Sequence, residues 1–434
     1  MTPHSRVHAL LRRVVDIRAH EVRAVITSFG FFFFLLSAYF VLRPMRDAVA
    51  AASGVSKLPW LFMGTLTATL ALNPFFSWLV TRIPVRRVIP ISYQFFAANI
   101  VVFYVVLRSV GEGSPAGVWT GRVFFVWTSV FALFNTSIFW CLMADAFRSE
   151  QAKRLFGFIG VGGTLGSILG SAVTAALADR IGAVNVLLVS TVLLEMAVLT
   201  VVRYPLTGHG QARAGRDSDV IGGSVWSGFR AVGQSRYLLG ICLFLILYTM
   251  GSTVLYFAQS EIVGRSYADT SARTAILAKL ELAAQLLTVL TQLFLTGRLI
   301  RWIGLAMALA LLPIVSIVGF GLLGVFPVFA TLGTFIVARR GVNFAITNPA
   351  MEVLFTVVPR EDKYKAKNII ETFVYRGADQ LAAWLYAGLA ALGLSLAGIS
   401  FVAVPLSGIW LLLGLWLGRK QWVLAEGGVS LRAS

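Results

Sequence analysis

The sequence predicts an all-α polytopic membrane protein, with twelve transmembrane helices in two pseudo-repeated six-helix bundles. Three observations lead there: an apolar composition, twelve apolar runs of membrane length, and a charged central loop that divides the runs six and six. Of the 434 residues, 58% are hydrophobic and 13% charged. A soluble domain carries roughly 25% charged residues. Mean hydropathy is +0.81.

The runs lie at about 24–42, 58–80, 88–107, 122–146, 155–178, 183–202, 238–258, 274–296, 302–324, 328–357, 371–392 and 396–417. Each is near the length of roughly 20 residues that a helix needs to cross the hydrocarbon core. The resulting organisation is a cytoplasmic amphipathic segment over 1–23, an N-terminal bundle over 24–203, a central cytoplasmic loop over 204–237, a C-terminal bundle over 238–418 and a cytoplasmic tail over 419–434.

Net charge is +18. The basic residues are spread over many short loops, so topology explains them better than nucleic-acid binding does. Placing both termini in the cytoplasm puts most of the 37 Lys and Arg on that side, as the positive-inside rule requires. Residues 1–23 carry five arginines, and Val7, Leu10, Leu11, Val14 and Val15 recur at helical spacing, which predicts a helix lying on the membrane surface. No small-residue cleavage site follows a short apolar core, so no cleavable signal is expected. Asp16 and Glu21 interrupt the acid-poor pattern of an organelle transit peptide. Ser224–Tyr237, with Val225, Trp226, Phe229 and Val232, is a second candidate interfacial segment.

The halves resemble one another. Thr81-Arg82-Ile83-Pro84-Val85-Arg86-Arg87 after the second span has a short basic counterpart in Gly297-Arg298-Leu299-Ile300-Arg301 after the eighth. Arg148 to Arg154 after the fourth span shares a charge rhythm and an Ala-Lys pair with Arg360 to Lys367 after the tenth. Repeated halves place a substrate site near the midplane, where the repeats meet.

Enzyme signals are poor. The chain has no H-E-x-x-H, no G-x-S-x-G and no metal-ligand cluster, and its four histidines lie outside the spans. Neither a cofactor nor a metal is expected. Gly157, Gly160, Gly162, Gly163, Gly166 and Gly170 in the fifth span lack a Walker lysine and read as a close-packing face. Cys141 and Cys242 sit in apolar runs and read as small packing residues.

Chemistry concentrates in polar groups of the spans, where charge is costly and marks a pathway or site. Arg43, Pro44, Met45, Arg46 and Asp47 follow immediately on the uncharged run 24–42. Tyr39, Arg43 and Arg46 share one helical face, and two readings stand side by side: contact with an anion, or anchoring by snorkelling arginines. Tyr248, Ser252, Tyr256 and Gln259 form a polar stripe on the seventh span, and Glu281, Gln285, Thr288 and Gln292 another on the eighth. Such stripes face protein or a water-filled cavity, and interhelical hydrogen bonding is the plainer alternative. The tenth span carries Arg339, Arg340, Asn343, Thr347, Asn348, Pro349 and Glu352. Adjacent arginines point about 100° apart, so one can meet substrate while the other pairs with an acid. The eleventh span carries Glu371, Tyr375 and Asp379 on one face and Arg376 and Gln380 on the next. Arg376 and Asp379, three apart, are spaced either to form an internal ion pair or to leave Arg376 to a substrate, and a pair that swaps partners would satisfy both readings.

Three stretches resemble the nucleotide transporter family that includes the ATP/ADP translocases of plastids and intracellular bacteria. Leu42-Arg43-Pro44-Met45-Arg46-Asp47 is similar to that family's L-R-x-x-K-D at the end of the first helix. Phe139-Trp140 with Gln151-Ala152-Lys153-Arg154-Leu155-Phe156-Gly157 is similar to its F-W…E-A-K-K-F-Y run, and Tyr375-Arg376-Gly377 to a G-K-S segment. The resemblance implies a major-facilitator-type fold in an inner (plasma) membrane and exchange of nucleotides or related organic phosphates. It puts Arg46 and Arg376 at the family's basic substrate positions. From the polar groups of the spans themselves, Arg43 and one of Arg339 and Arg340 are expected as secondary contacts. Tyr39, Tyr248, Tyr256, Tyr375 and Asn343 would line the site, while Asp47, Glu281, Glu371 and Asp379 would pair or couple. The family's acids in the fourth and seventh helices fall near Thr128 and Tyr256. Their loss argues against strict ATP-for-ADP exchange and leaves anion transport.

The partners expected are therefore a small anionic solute and the lipid bilayer. Two other readings remain: a proton-coupled permease using Glu281, Glu371 or Asp379, and a non-transporting sensor or scaffold. The lack of an extramembrane domain weighs against the second.

Overall fold

The computed structural model describes residues 17–18, 20–82, 85–111, 113–147, 149–202, 232–294, 296–358 and 370–427. Thirteen α-helices make up this part of the chain. They are α1 (Val22–Ser53), α2 (Leu58–Arg82), α3 (Val85–Ser109), α4 (Pro115–Ala146), α5 (Ser149–Ile181), α6 (Ala183–Val202), α7 (Arg236–Ser266), α8 (Thr270–Phe294), α9 (Thr296–Val325), α10 (Phe329–Val342), α11 (Asn348–Leu354), α12 (Tyr375–Ala391) and α13 (Leu396–Gly427). Ten helical segments among the described residues are long and apolar enough to cross a membrane. Most of the expected surface segment 1–23 and of the central loop 204–237 lies outside the described residues.

Two local departures from the expected pattern matter for function. The first apolar run was expected to stop at Leu42, with the charged cluster at its edge. Instead α1 runs on to Ser53 as a helix of 32 residues, about 48 Å long. Ala48 to Ser53 is alanine-rich and keeps the helix going past Pro44. Arg43, Arg46 and Asp47 are therefore interior residues of α1. The second departure is in the tenth and eleventh runs. A π-helical turn, Asn343–Thr347, separates α10 from α11, and another, Ile370–Val374, precedes α12. Such turns are rare and frequent at functional sites.

The helices fall into two compact units. The first holds α1, residues 64–82 of α2, α3 to α6, and residues 267–282. In it α1 packs on α4, α5 and α6. Lipid tails are as apolar as leucine, so close packing rather than water exclusion holds such helices together. The glycine face of α5 shows how. A Cβ on Gly166 would collide with the carbonyl oxygen of Phe33, and one on Gly170 with that of Ser37. Nearby, the rings of Phe32 and Phe139 stack 4.2 Å apart. Ser114 caps α4, accepting from the Gly117 N–H at 3.0 Å, with Pro115 in the first turn.

The second unit holds residues 54–63, α7, residues 283–294 of α8, and α9 to α13. Here α9 packs along α13, and α7 meets α12 and α13. Its core includes Phe244, Leu309, Leu312, Trp410 and Leu417. The Tyr237 hydroxyl donates to the Leu354 carbonyl at 2.8 Å, tying α7 to α11. Within α9, Gly304 takes φ +76° and breaks the helical path, a conformation other residues adopt only with strain.

Large apolar side chains remain exposed on the outer faces, among them Ile91, Phe95 and Val102 on α3 and Val192 and Val202 on α6. In a chain of spanning helices this is the surface that lipid covers. Cys141 and Cys242 are both free thiols.

Candidate functional site

In the first unit the α1 cluster turns its charges toward protein. Arg46 spends two donors on one oxygen: Nε at 3.0 Å and Nη2 at 2.7 Å from Asp47 Oδ1. Its guanidinium also lies over the Phe125 ring, 5.3 Å from the centroid. Arg43 donates from Nη1 to Glu281 Oε1 at 3.0 Å, an ion pair between α1 and the middle of α8. Glu281 is 5% exposed. The Nε of Arg43 is buried and meets no acceptor among the described residues. Both guanidiniums have protein partners, with 22% of the Arg43 side chain and 15% of the Arg46 side chain left exposed. Tyr39 lies on the same helix and stacks on Phe131 at 6.5 Å.

On α8, Thr288 donates to the Ala284 carbonyl at 2.7 Å, so this member of the stripe is used within its own helix. Lys279 lies off that stripe, 3.9 Å from Asp179. Thr128, where the family's helix-4 acid falls, is buried and donates to the Phe124 carbonyl at 2.8 Å.

In the second unit Tyr248 is the centre. Its ring lies 6.5 Å from that of Tyr375 and 6.1 Å from that of Trp410. Its hydroxyl accepts from Asn343 Nδ2 at 3.1 Å. Its carbonyl accepts from Arg339 Nη2 at 3.0 Å and from the Ser252 hydroxyl at 2.9 Å. Arg339 Nη1 reaches the Ser252 hydroxyl at 2.9 Å and Nε the Ser316 hydroxyl at 3.3 Å, while the guanidinium lies over Tyr248 and Trp410. Ser316 is fully buried and Trp410 1% exposed, so Arg339 points into the core of this unit, beneath Tyr248. It pairs with no carboxylate among the described residues. Arg340 is half-buried and engaged in contacts of its own.

The internal ion pair on the eleventh span does not form. Asp379 Oδ1 accepts instead from the Thr253 hydroxyl at 2.6 Å. Thr253 comes from the neighbouring helix α7 and is itself buried. Arg376, half-buried, makes no hydrogen bond and no ion pair among the described residues. Tyr256 packs its ring 5.7 Å from that of Phe62. Glu371 lies in the π turn before α12, and its side chain is outside what the structure describes.

Sequence reasoning missed Thr253, Ser316 and Trp410. Thr253 stands one residue off the Tyr248 stripe, and a single serine or tryptophan in an apolar run carries no periodic signal. Glu21 was noted for its charge alone. It is 3% exposed and accepts from the Arg18 N–H at 2.9 Å, Gln151 Nε2 at 2.7 Å and Arg154 Nη2 at 3.0 Å. Burial acts to raise its pKa, but these donors outweigh it and the net shift is downward. No group of His, Cys, Asp and Glu among the described residues could hold a metal ion.

The model of the Major Facilitator Superfamily matches residues 24–378. ADP,ATP carrier protein 2 of Chlamydia pneumoniae is 21% identical over an alignment of 511 positions that covers 99% of this chain and 94% of that protein. Among solved structures, the D-xylose-proton symporter superposes with a TM-score of 0.62 at 14% identity, covering 92% of this chain and 97% of that one. The nucleoside transporter NupG does so with 0.55 at 14%, covering 94% and 99%. At these identities the superpositions speak to the fold.

Proposed function

The chain belongs to the major facilitator superfamily, a family of membrane transporters rather than enzymes, and from that premise we propose that this secondary transporter moves nucleotides or related organic phosphate anions by exchange. The observation that carries the proposal is Arg376: a half-buried guanidinium on a membrane helix, without an ion pair or hydrogen bond among the described residues, beside Tyr375 and its ring partner Tyr248. A cation in such a place needs an acceptor, and phosphate oxygens match a guanidinium bidentately. The Tyr248–Tyr375 pair offers ring faces on which a nucleobase can stack.

The name of the Chlamydia relative supports the same substrate class, as does the residue pattern at Arg43 to Asp47 and at Arg376. In the second unit Asn343 would add a neutral donor; in the first, Arg46 and Arg43 are candidate anion contacts on α1. Arg339 would act from beneath Tyr248, as a fixed positive charge with no carboxylate partner among the described residues, rather than by touching the solute. An inner bacterial membrane with both termini in the cytoplasm agrees with the distribution of basic loops.

A ligand that binds the folded state raises its apparent stability by mass action. Purified protein should therefore gain thermal stability from a subset of nucleotides and sugar phosphates and none from the neutral nucleosides or sugars. No shift with any anion at millimolar concentration would count against the proposal.

A further inference from the structure

Arg43 is the one arginine of the α1 cluster whose hydrogen-bonding capacity is visibly unspent. A guanidinium has five N–H donors, and its side edge, Nε with the nearer terminal nitrogen, is one of the forks that grip two oxygens at once. Arg46 has spent that edge, since Nε and Nη2 both reach Asp47. Arg43 has not: Glu281 is held by Nη1, while Nε is buried without an acceptor. A desolvated donor left bare is costly, and it points to an acceptor that comes and goes. Arg43 also lies ten residues before the end of α1, inside the helix and not at its terminus.

We propose that Arg43 is an oxyanion-binding residue whose open edge takes a phosphoryl oxygen of the transported solute, and that Glu281 is the internal anion competing for it. This rests on the anion-exchange reading above, and it reverses the order in which the family pattern ranks Arg46 and Arg43. Glu281 belongs to residues 267–282, which also pack on the first unit through Ala275 against Val41, Ala178 and Val186 and through the Ser271 hydroxyl, which accepts from the Ala183 N–H at 3.0 Å. A phosphoryl group at Arg43 brings negative charge beside the Glu281 carboxylate. Anion binding and the Arg43–Glu281 pair therefore oppose each other, and binding loosens this segment from α1. By linkage, weakening the pair must tighten the anion.

Two substitutions in the full chain, purified into nanodiscs, separate this from a structural ion pair. Lysine keeps the charge for Glu281 but has no fork. Arg43→Lys should keep the wild-type unfolding temperature within a few degrees and bind AMP or ADP about tenfold more weakly. Glu281→Gln removes the competing charge and should bind the same nucleotides several-fold more tightly. Unchanged affinity in Arg43→Lys, or unchanged or weaker affinity in Glu281→Gln, overturns the inference while leaving anion exchange standing. If the wild type binds neither nucleotide nor inorganic phosphate, both readings fall together. If Glu281→Gln does not fold, Arg43→Lys alone decides the matter.

Discussion

Asp379 takes its short hydrogen bond from Thr253 on α7 and not from Arg376, its neighbour one turn back on α12. That single contact leaves the Arg376 guanidinium available. Thr253→Val removes the donor at nearly constant shape. The carboxylate then lacks its partner, and Arg376 is the nearest cation able to replace it. Apparent affinity for the transported anion should fall several-fold in transport assays, while expression and oligomeric profile stay as in the wild type. A rise in affinity would show that Thr253 does not hold Asp379 away.

Arg339 is buried and Arg43 half-buried, and they differ in what their removal leaves behind. The partners of Arg339 are hydroxyls and a carbonyl that have bonds of their own: Ser316 donates to Leu312 at 2.9 Å and Ser252 to Tyr248. The partner of Arg43 is a buried carboxylate. Stripping a buried pair of one member costs about 3–5 kcal/mol, whereas trading a buried charge for a matched apolar side chain is often neutral. Arg43→Met should therefore lower unfolding stability by a few kcal/mol, and Arg339→Met by less than about 1 kcal/mol. Chemical denaturation in detergent compares them.

The α1–α5 contact is close enough to make Gly166 a strict position. Any Cβ there meets the Phe33 carbonyl, which is backbone and cannot swing aside. Gly166→Ala should cost about 1–3 kcal/mol through forced separation of the helices. Gly157, on the same helix but with open space at its Cβ position, should accept alanine and gain slightly from helix propensity. Unfolding temperatures of the two variants check the contrast.

Glu21 gives the account a pH dependence outside the membrane spans. Its folded pKa lies below the ordinary value. A depressed carboxylate contributes stability that is fully present above the unfolded pKa, about 4.3, and is lost as pH falls through the lower folded value. Glu21→Gln should thus be less stable than the wild type by a constant margin from pH 6 to 8. The margin should shrink below about pH 4.3, as protonation removes the same contacts from the wild type. Thermal unfolding at pH 7 and pH 4 reads the difference.

The fold class was legible because membrane-length apolar runs and basic loops are written in composition and spacing. The glycine face of α5 was legible in part: Gly162, Gly163, Gly166 and Gly170 pack against α1, while Gly157 and Gly160 have open space where a Cβ would lie. Helix length at the α1 cluster was not. Proline and two arginines after an uncharged stretch look like an end, and only the alanine-rich continuation says otherwise. Partner choice was legible least. Asp379 had a cation three residues away in sequence, but its partner came from another helix, and no periodicity on α12 could name Thr253. Likewise Arg339 and Arg340 were separated by angle alone, and it took Ser316 and Trp410 to show that Arg339 turns into the core.

The measurement that bears most directly on the central claim is counter-flow exchange in liposomes, comparing wild type with Arg376→Gln. Liposomes loaded with unlabelled nucleotide or sugar phosphate should take up the labelled form faster than empty ones. An imposed pH gradient should change that rate little, and Arg376→Gln should lower it at least tenfold. Uptake of no such anion, or uptake driven by the pH gradient and unchanged in Arg376→Gln, would contradict it.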